Sequence, residues 1–274
     1  MPYFPLGYPD LDTSIDVIEA LAKNGADLIE VGLSFSDPLA DGPMIQHATQ
    51  IALENGITVK KSLEAVRELR SRGVDIPLVL MGYYNPMLAY GLEKFVSDAV
   101  DAGVDGFIVP DLPMEESEEF QLALSGTIGE DEAQRASENR ASSTSEKIAR
   151  SPLSAIPLIQ MLAPTTPSER MEMIARNAKG FIYLVSVTGV TGERKSISEG
   201  LGELINQVRK HTSIPVCVGF GISTPEQAKE VGKMADGVIV GTACVRTIGE
   251  SKTPVETAKL FAAEFRSALV ELNE

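Results

Sequence analysis

The sequence predicts an α/β protein, a single (β/α)8 barrel spanning residues 1–274, and three observations carry that expectation. Eight short apolar runs alternate with amphipathic stretches along the chain. Most of these runs are apolar throughout rather than alternating, as strands covered on both faces are. The segments NGADLIEVG, DAGVDGFIVP and GKMADGVIVG also repeat one pattern: a helix end, a Gly or small residue, an Asp, then a strand. A doubly wound open sheet is the structural alternative. Against it, no GxGxxG follows the first strand, and eight units exceed the five or six strands of that fold.

The elements follow in order. Residues 3–6 read as the first strand, and Leu11, Ile15, Ile18 and Ala22 then fall at helical spacing, closed by Asn24-Gly25. DLIEVGL, residues 27–33, is the second strand. After a long loop, helices are expected over 44–54 and 59–72, split at Asn55-Gly56. IPLVLMGYY from Ile76, GFIVP from Gly106, IPLIQML from Ile156, GFIYLVS from Gly180, IPVCVGF from Ile214 and DGVIVG from Asp236 supply the other strands. Helical patterns separate them over 92–102, 168–177, 201–210 and 225–234, and a last helix covers 255–272. Residues 125–152 break the rhythm. Ile128 and Ile148 are the only large aliphatic side chains in the middle of that polar stretch, too little apolar area to offset ordering entropy. A flexible insertion within the barrel is expected there.

Charge and composition exclude several functions. With 24 Lys and Arg against 39 Asp and Glu the net charge is −15, which opposes nucleic-acid binding. A single phosphate remains admissible if local backbone N–H groups hold it. No run of about 18 apolar residues appears, so no membrane span is expected. Cys217 and Cys244 make neither a metal cluster nor a disulfide framework, which fits a reducing, cytoplasmic location. No signal peptide is expected, since Met1-Pro2 leads almost directly into an apolar strand.

In a barrel, chemistry sits where strands end and βα loops begin. Glu30 lies within LIEVG, and a carboxylate among apolar neighbours acquires a raised pKa suited to proton transfer near neutrality. The other reading is a structural carboxylate paired with a buried donor. The loop FSDPLADGP adds Asp37 and Asp41, with Pro38 and Gly42-Pro43 setting its turns. The loop can hold one carboxylate at the barrel mouth, and paired with Glu30 it makes a two-carboxylate site whose environments separate the pKa values. Glycine clusters follow strands six, seven and eight: SVTGVTGE (186–193), GFGIST (219–224) and GTA (241–243). Backbone N–H groups at such turns converge on an anion, aided by the next helix N-terminus. Tyr83, Tyr84 and Tyr183 are weaker candidates for an aromatic pocket. Asp111 is read as orienting a loop, His47 and His211 as surface or capping residues, and Arg194-Lys195 as solvated loop charges.

At these residues the sequence resembles the tryptophan synthase alpha subunit family. The resemblance rests on LIEVGLSFSDPLADGPMIQ (28–46), LMGYYNP (80–86), GVDGFIVPDLPMEES (103–117), APTTP (163–167), GFIYLVSVTGVTG (180–192) and GFGIST (219–224). It implies a lyase that cleaves indole-3-glycerol phosphate by a retro-aldol reaction, giving indole and glyceraldehyde 3-phosphate in the last steps of tryptophan biosynthesis. It implies no metal and no cofactor, pyridoxal phosphate being expected only in a partner beta subunit, with which the chain forms a 2:2 complex. By resemblance Glu30 is the catalytic acid and base, and Asp41 holds the indole N–H. Thr191 is the loop threonine that positions Asp41. Tyr3 and Tyr183 lie beside the substrate, Gly192, Gly221, Gly241 and Thr242 form the phosphate cradle, and Asp37 faces the beta subunit.

Three departures accompany the resemblance. The family usually begins with a helix that covers the bottom of the barrel, whereas this chain begins at the first strand. Ser34 stands where proline is common, and the insertion at 125–152 lies where the family has a plain helix and short loop. Two competing readings are a barrel that mainly activates a beta subunit, and another phosphate-binding barrel enzyme. The carboxylate pair and the glycine set favour the lyase over the first. Against the second, no Lys lies inside any expected strand to serve as a base or Schiff-base former.

Overall fold

The structure is a computed structural model that describes residues 1–126, 156–185, 194–219 and 221–270. Eight parallel strands run in sequence order: β1 Tyr3–Pro5, β2 Ile29–Gly32, β3 Leu78–Met81, β4 Gly106–Ile108, β5 Leu158–Leu162, β6 Ile182–Val185, β7 Val216–Gly219 and β8 Gly237–Val238. Just beyond β8, Val240 bridges in parallel to Pro2, and the Tyr3 N–H donates to the Val240 carbonyl at 3.1 Å. That contact closes the barrel, and the expected fold class holds.

Alternation along the strands sorts the core into two layers. Phe4, Val31, Leu80, Phe107, Ile182 and Val218 face outward to the helices in the larger cluster. Val79, Ile108, Ile159, Phe181, Tyr183, Cys217 and Ile239 form a second cluster. Their parity in the strands puts these side chains inside the barrel. Glu30 shares this inner parity, opposite Tyr3 on one side and Val79 on the other.

The helices are α1 Leu11–Lys23, α2 Pro43–Glu54, α3 Val59–Ser71, α4 Tyr84–Tyr90, α5 Leu92–Ala102, α6 Glu118–Gly126, α7 Ser168–Asn177, α8 Arg194–Arg209, α9 Pro225–Gly232, α10 Thr242–Gly249 and α11 Pro254–Val270, with a short 3-10 turn over Met114–Glu116. Local chemistry starts several of them. Asp10, Thr58 and Thr224 each accept a backbone N–H three residues on, satisfying one of the open donors of the first turn.

Four expectations need correction. The apolar run from Ile76 is not one strand: β3 stops at Met81, and Tyr83 is the N-cap of α4. The N–H of Tyr84 is satisfied by Asp111 at 3.0 Å, a cap from 27 residues away that local pattern does not reveal. That bond gives Asp111 its loop-orienting role. α10 was also unexpected, because it is short and starts at Gly241 with no side-chain cap. Ser125 belongs to α6, where its hydroxyl donates to the Gln121 carbonyl, so the insertion does not begin there. Residues 127–152 of the insertion lie outside the described residues. Finally, Arg194 and Lys195 open helix α8 rather than sitting in a loop.

The repeated Asp before a strand has a common physical role. Asp27, Asp105 and Asp236 each pair with an arginine from a helix: Arg266, Arg70 and Arg209 respectively. Asp105 also accepts the Leu78 N–H at 2.9 Å, and Asp236 the Val216 N–H at 2.8 Å, tying each strand to its neighbour. The Arg70 guanidinium, with 11% of the side chain exposed, also donates to the carbonyls of Gly103, Val74 and Ile76. Asp105→Ala removes one ion pair of that cation and leaves the Leu78 N–H without its acceptor. Stability is expected to fall by about 2–4 kcal/mol in urea melts. Activity per folded molecule is expected to persist, because this staple lies at the N-terminal ends of the strands.

Candidate active site

Glu30 is 1% exposed on β2. Its Oε1 has no hydrogen-bond partner among the described residues. Burial disfavours the charged form and pushes the pKa from 4.5 up to about 8. The structural alternative, a carboxylate satisfied by a buried donor, is therefore not what the described residues show at that oxygen.

Tyrosines surround this carboxylate. Tyr3 on β1 lies over Gly32, where an added Cβ would sit 2.3 Å from the phenol oxygen. Tyr183 on β6 lies over Gly219 in the same way, at 2.4 Å. Each ring thus occupies space that only a glycine on the neighbouring strand leaves open. Burial holds both phenols well above 10, and the charges of Glu30 and Asp41 add to the effect on each. Both hydroxyls therefore stay protonated and available as donors.

Asp41 comes from the loop after β2. Its pKa is pushed up to about 6 by burial, while a hydrogen bond from Tyr83 pulls it back down. The loop folds on itself through Leu39 N–H to Asp37 carbonyl (3.0 Å) and Asp41 N–H to Pro38 carbonyl (3.1 Å). Its tip carries Asp37, exposed and accepting from Ser36 Oγ at 2.5 Å, beside Leu39, which is 93% exposed. Ser34 Oγ, where the family often has proline, is buried with no partner among the described residues.

The expected phosphate side is described in part. Gly221, exposed after β7, has φ +81°, a conformation that glycine adopts without steric cost. Gly241 is the N-cap of α10 with no side-chain cap, and Thr242 is the exposed first residue of that helix. A short extra helix after β8 is where phosphate-binding barrels place an anion. Thr191 and Gly192 lie outside the described residues. His47 is exposed on α2 beside Phe35, Ser36 and Pro38 of the loop after β2, and His211 sits 3.8 Å from Glu172. The site residue that sequence reasoning placed too low is Tyr83, whose hydroxyl reaches the Asp41 loop.

A small cavity of about 40 Å³ at the barrel's other end, lined by Ala26, Val238, Phe261 and Phe265 among others, holds none of these groups. Among the described residues no cluster of three or more His, Cys, Asp or Glu is placed to hold a metal ion, and no helix is long and apolar enough to cross a membrane.

Fold and site define a (β/α)8-barrel protein with two raised-pKa carboxylates, one on β2 and one on the loop that follows it. Comparison with known proteins narrows the class. The family model described as tryptophan synthase alpha chain matches residues 1–127 and 138–270. The tryptophan synthase alpha chain of Chloroflexus aurantiacus is 43% identical over 270 residues, 98% of this chain and 91% of that protein. That of Roseiflexus sp. is 44% identical over 251 residues, 92% of this chain and 86% of the relative. Among solved structures, the alpha subunit from Legionella pneumophila superposes with TM-score 0.82 at 33% identity, covering 98% of this chain and 92% of that one. A tryptophan synthase from Mycobacterium tuberculosis in an aminoacrylate-bound form gives 0.79 at 31%, covering 98% and 91%. The chain belongs to the tryptophan synthase alpha chain family. It is a lyase that cleaves indole-3-glycerol phosphate, and it acts in tryptophan biosynthesis in complex with a beta subunit. The family's alpha chain needs no cofactor, the pyridoxal phosphate being held by the beta subunit.

Proposed function

We propose that Glu30 is the single acid–base group of a retro-aldol cleavage and that Asp41 holds the indole N–H. The buried, unpartnered carboxyl of Glu30 carries this reading. With its pKa at about 8 it starts protonated at neutral pH and donates that proton to ring carbon C3. Positive charge then develops on the ring nitrogen, where the Asp41 carboxylate, ionised above about 6, stabilises it. The Glu30 carboxylate now takes the proton of the hydroxyl on the carbon attached to C3. As that oxygen becomes a carbonyl, the bond to C3 breaks and its electrons return to the ring. Indole and glyceraldehyde 3-phosphate leave, and Glu30 ends in its starting form.

Tyr3 and Tyr183 flank the ring, with Gly32 and Gly219 making room for them. Gly221, Gly241 and Thr242, together with Gly192, hold the phosphate through backbone N–H groups, and Thr191 steadies Asp41. In this reading the enzyme works in the cytoplasm as a 2:2 complex. The Asp37–Leu39 tip meets the beta subunit, and docking there favours the closed state of the mouth. The test is indole release from indole-3-glycerol phosphate with and without a beta subunit. The isolated chain is expected to be slow and to accelerate on mixing. Asp37→Ala is expected to reduce that acceleration far more than the rate of the isolated chain. Absence of both binding in sedimentation and any rate change would remove the 2:2 arrangement and the docking role of the Asp37–Leu39 tip from the proposal and leave the lyase.

A further inference from the structure

Tyr83 is buried at 5% exposure, yet it stands at the start of a short helix rather than in a strand. It touches the catalytic loop at three points. Its ring packs against Phe35 at 5.6 Å between centroids, near the beginning of the loop. Its hydroxyl accepts the Ala40 N–H at 2.8 Å, near the end. The same hydroxyl lies close enough to the Asp41 carboxylate to lower its pKa against the effect of burial. Accepting the Ala40 N–H leaves the phenol's own O–H free to donate, and Asp41 is the acceptor beside it. Tyr83 is itself held in place, because Asp111 after β4 secures the N–H of the next residue, Tyr84. A line of contacts thus runs from the ends of β3 and β4 to the carboxylate on β2's loop.

We propose that Tyr83 is a positioning residue for Asp41, fixing both the loop backbone and the carboxylate in the geometry that meets the indole N–H. This rests on the reading of Asp41 given above. Substrate binding alone does not need the hydroxyl. Stabilising charge on the ring nitrogen does, because an acceptor displaced by an ångström loses much of its effect in the transition state. The hydroxyl also favours the ionised form of Asp41. The other groups around that carboxylate raise no such support: Tyr3 from β1 and Tyr183 from β6 face it as neutral phenols, Glu30 on β2 is nearby, and Asp111 bears on Tyr83 from the end of β4.

The experiment is Tyr83→Phe, which keeps the ring against Phe35 and removes only the hydroxyl. Indole release should show kcat lowered about tenfold with KM changed less than about twofold. The acid limb of the pH–rate profile, which ionisation of Asp41 sets in this reading, should move to higher pH, because the hydroxyl lowers the Asp41 pKa. In an Asp41→Asn background the same substitution should add less than about twofold, since the partner it positions is already gone. A lower melting temperature with kcat and the acid limb unchanged would make Tyr83 a packing residue and overturn the proposal. Full activity in Asp41→Asn alone would instead overturn the reading of Asp41, and the positioning role with it.

Discussion

Glu30→Gln is expected to lower indole release by about 10²-fold or more while leaving substrate affinity nearly intact. The amide keeps the shape and burial of the side chain, and it neither gives a proton to C3 nor takes one from the hydroxyl. The same substitution should change stability in a pH-dependent way. Burial raises the Glu30 pKa from 4.5 to about 8, so the native state holds its proton more tightly than the unfolded chain does. The stability supplied by that proton is fully present below about 4.5 and is lost as pH rises toward about 8. Glutamine does not titrate. The melting temperature of Glu30→Gln relative to the parent should therefore climb between pH 5 and pH 8, as activity is lost throughout. Unchanged turnover would end the assignment of Glu30. A flat difference in melting temperature would show that Glu30 is ionised and paired in the free protein.

Much of this site was legible from residue type and place. A lone carboxylate in an apolar strand stands out because burying it is costly, and Glu30 lies where that argument puts it, its Oε1 without a partner among the described residues. The barrel was legible because strands covered on both sides carry a continuous apolar signature, which no half-exposed sheet would need. What local pattern hides is contact across the chain. The Tyr83 hydroxyl reaches an N–H 43 residues earlier, and nothing near LMGYYNP announces it. The seat of Tyr3 over Gly32 depends on the register of β1 against β2, so neither residue looks unusual alone. α4 was missed because its cap comes from Asp111, and α10 because a glycine cap gives no side-chain signal. The helix that sequence reasoning did not foresee is the one that gives GTA its meaning. Its glycine is a helix N-cap as well as a turn.

Gly241→Asp separates those two roles of the glycine. Its φ is −96°, outside the left-handed region, so a side chain meets no conformational barrier of that kind. An added Cβ would find only Ile45 Cδ1 and Tyr3 Cβ, each at 3.8 Å, which is ordinary contact. An acidic side chain there also complements the positive end of the helix dipole. As a purely structural turn, the position should tolerate the change with an equal or higher melting temperature. As part of an anion site, it should not. The new carboxylate would occupy the N–H groups meant for the substrate phosphate and repel its charge at short range. KM for indole-3-glycerol phosphate is expected to rise about 10²-fold while the melting temperature holds or increases. Inorganic phosphate should lose its ability to compete with the substrate in the variant. Unchanged KM with raised stability would assign the first turn of α10 to the fold alone and move the phosphate site to the loops after β6 and β7.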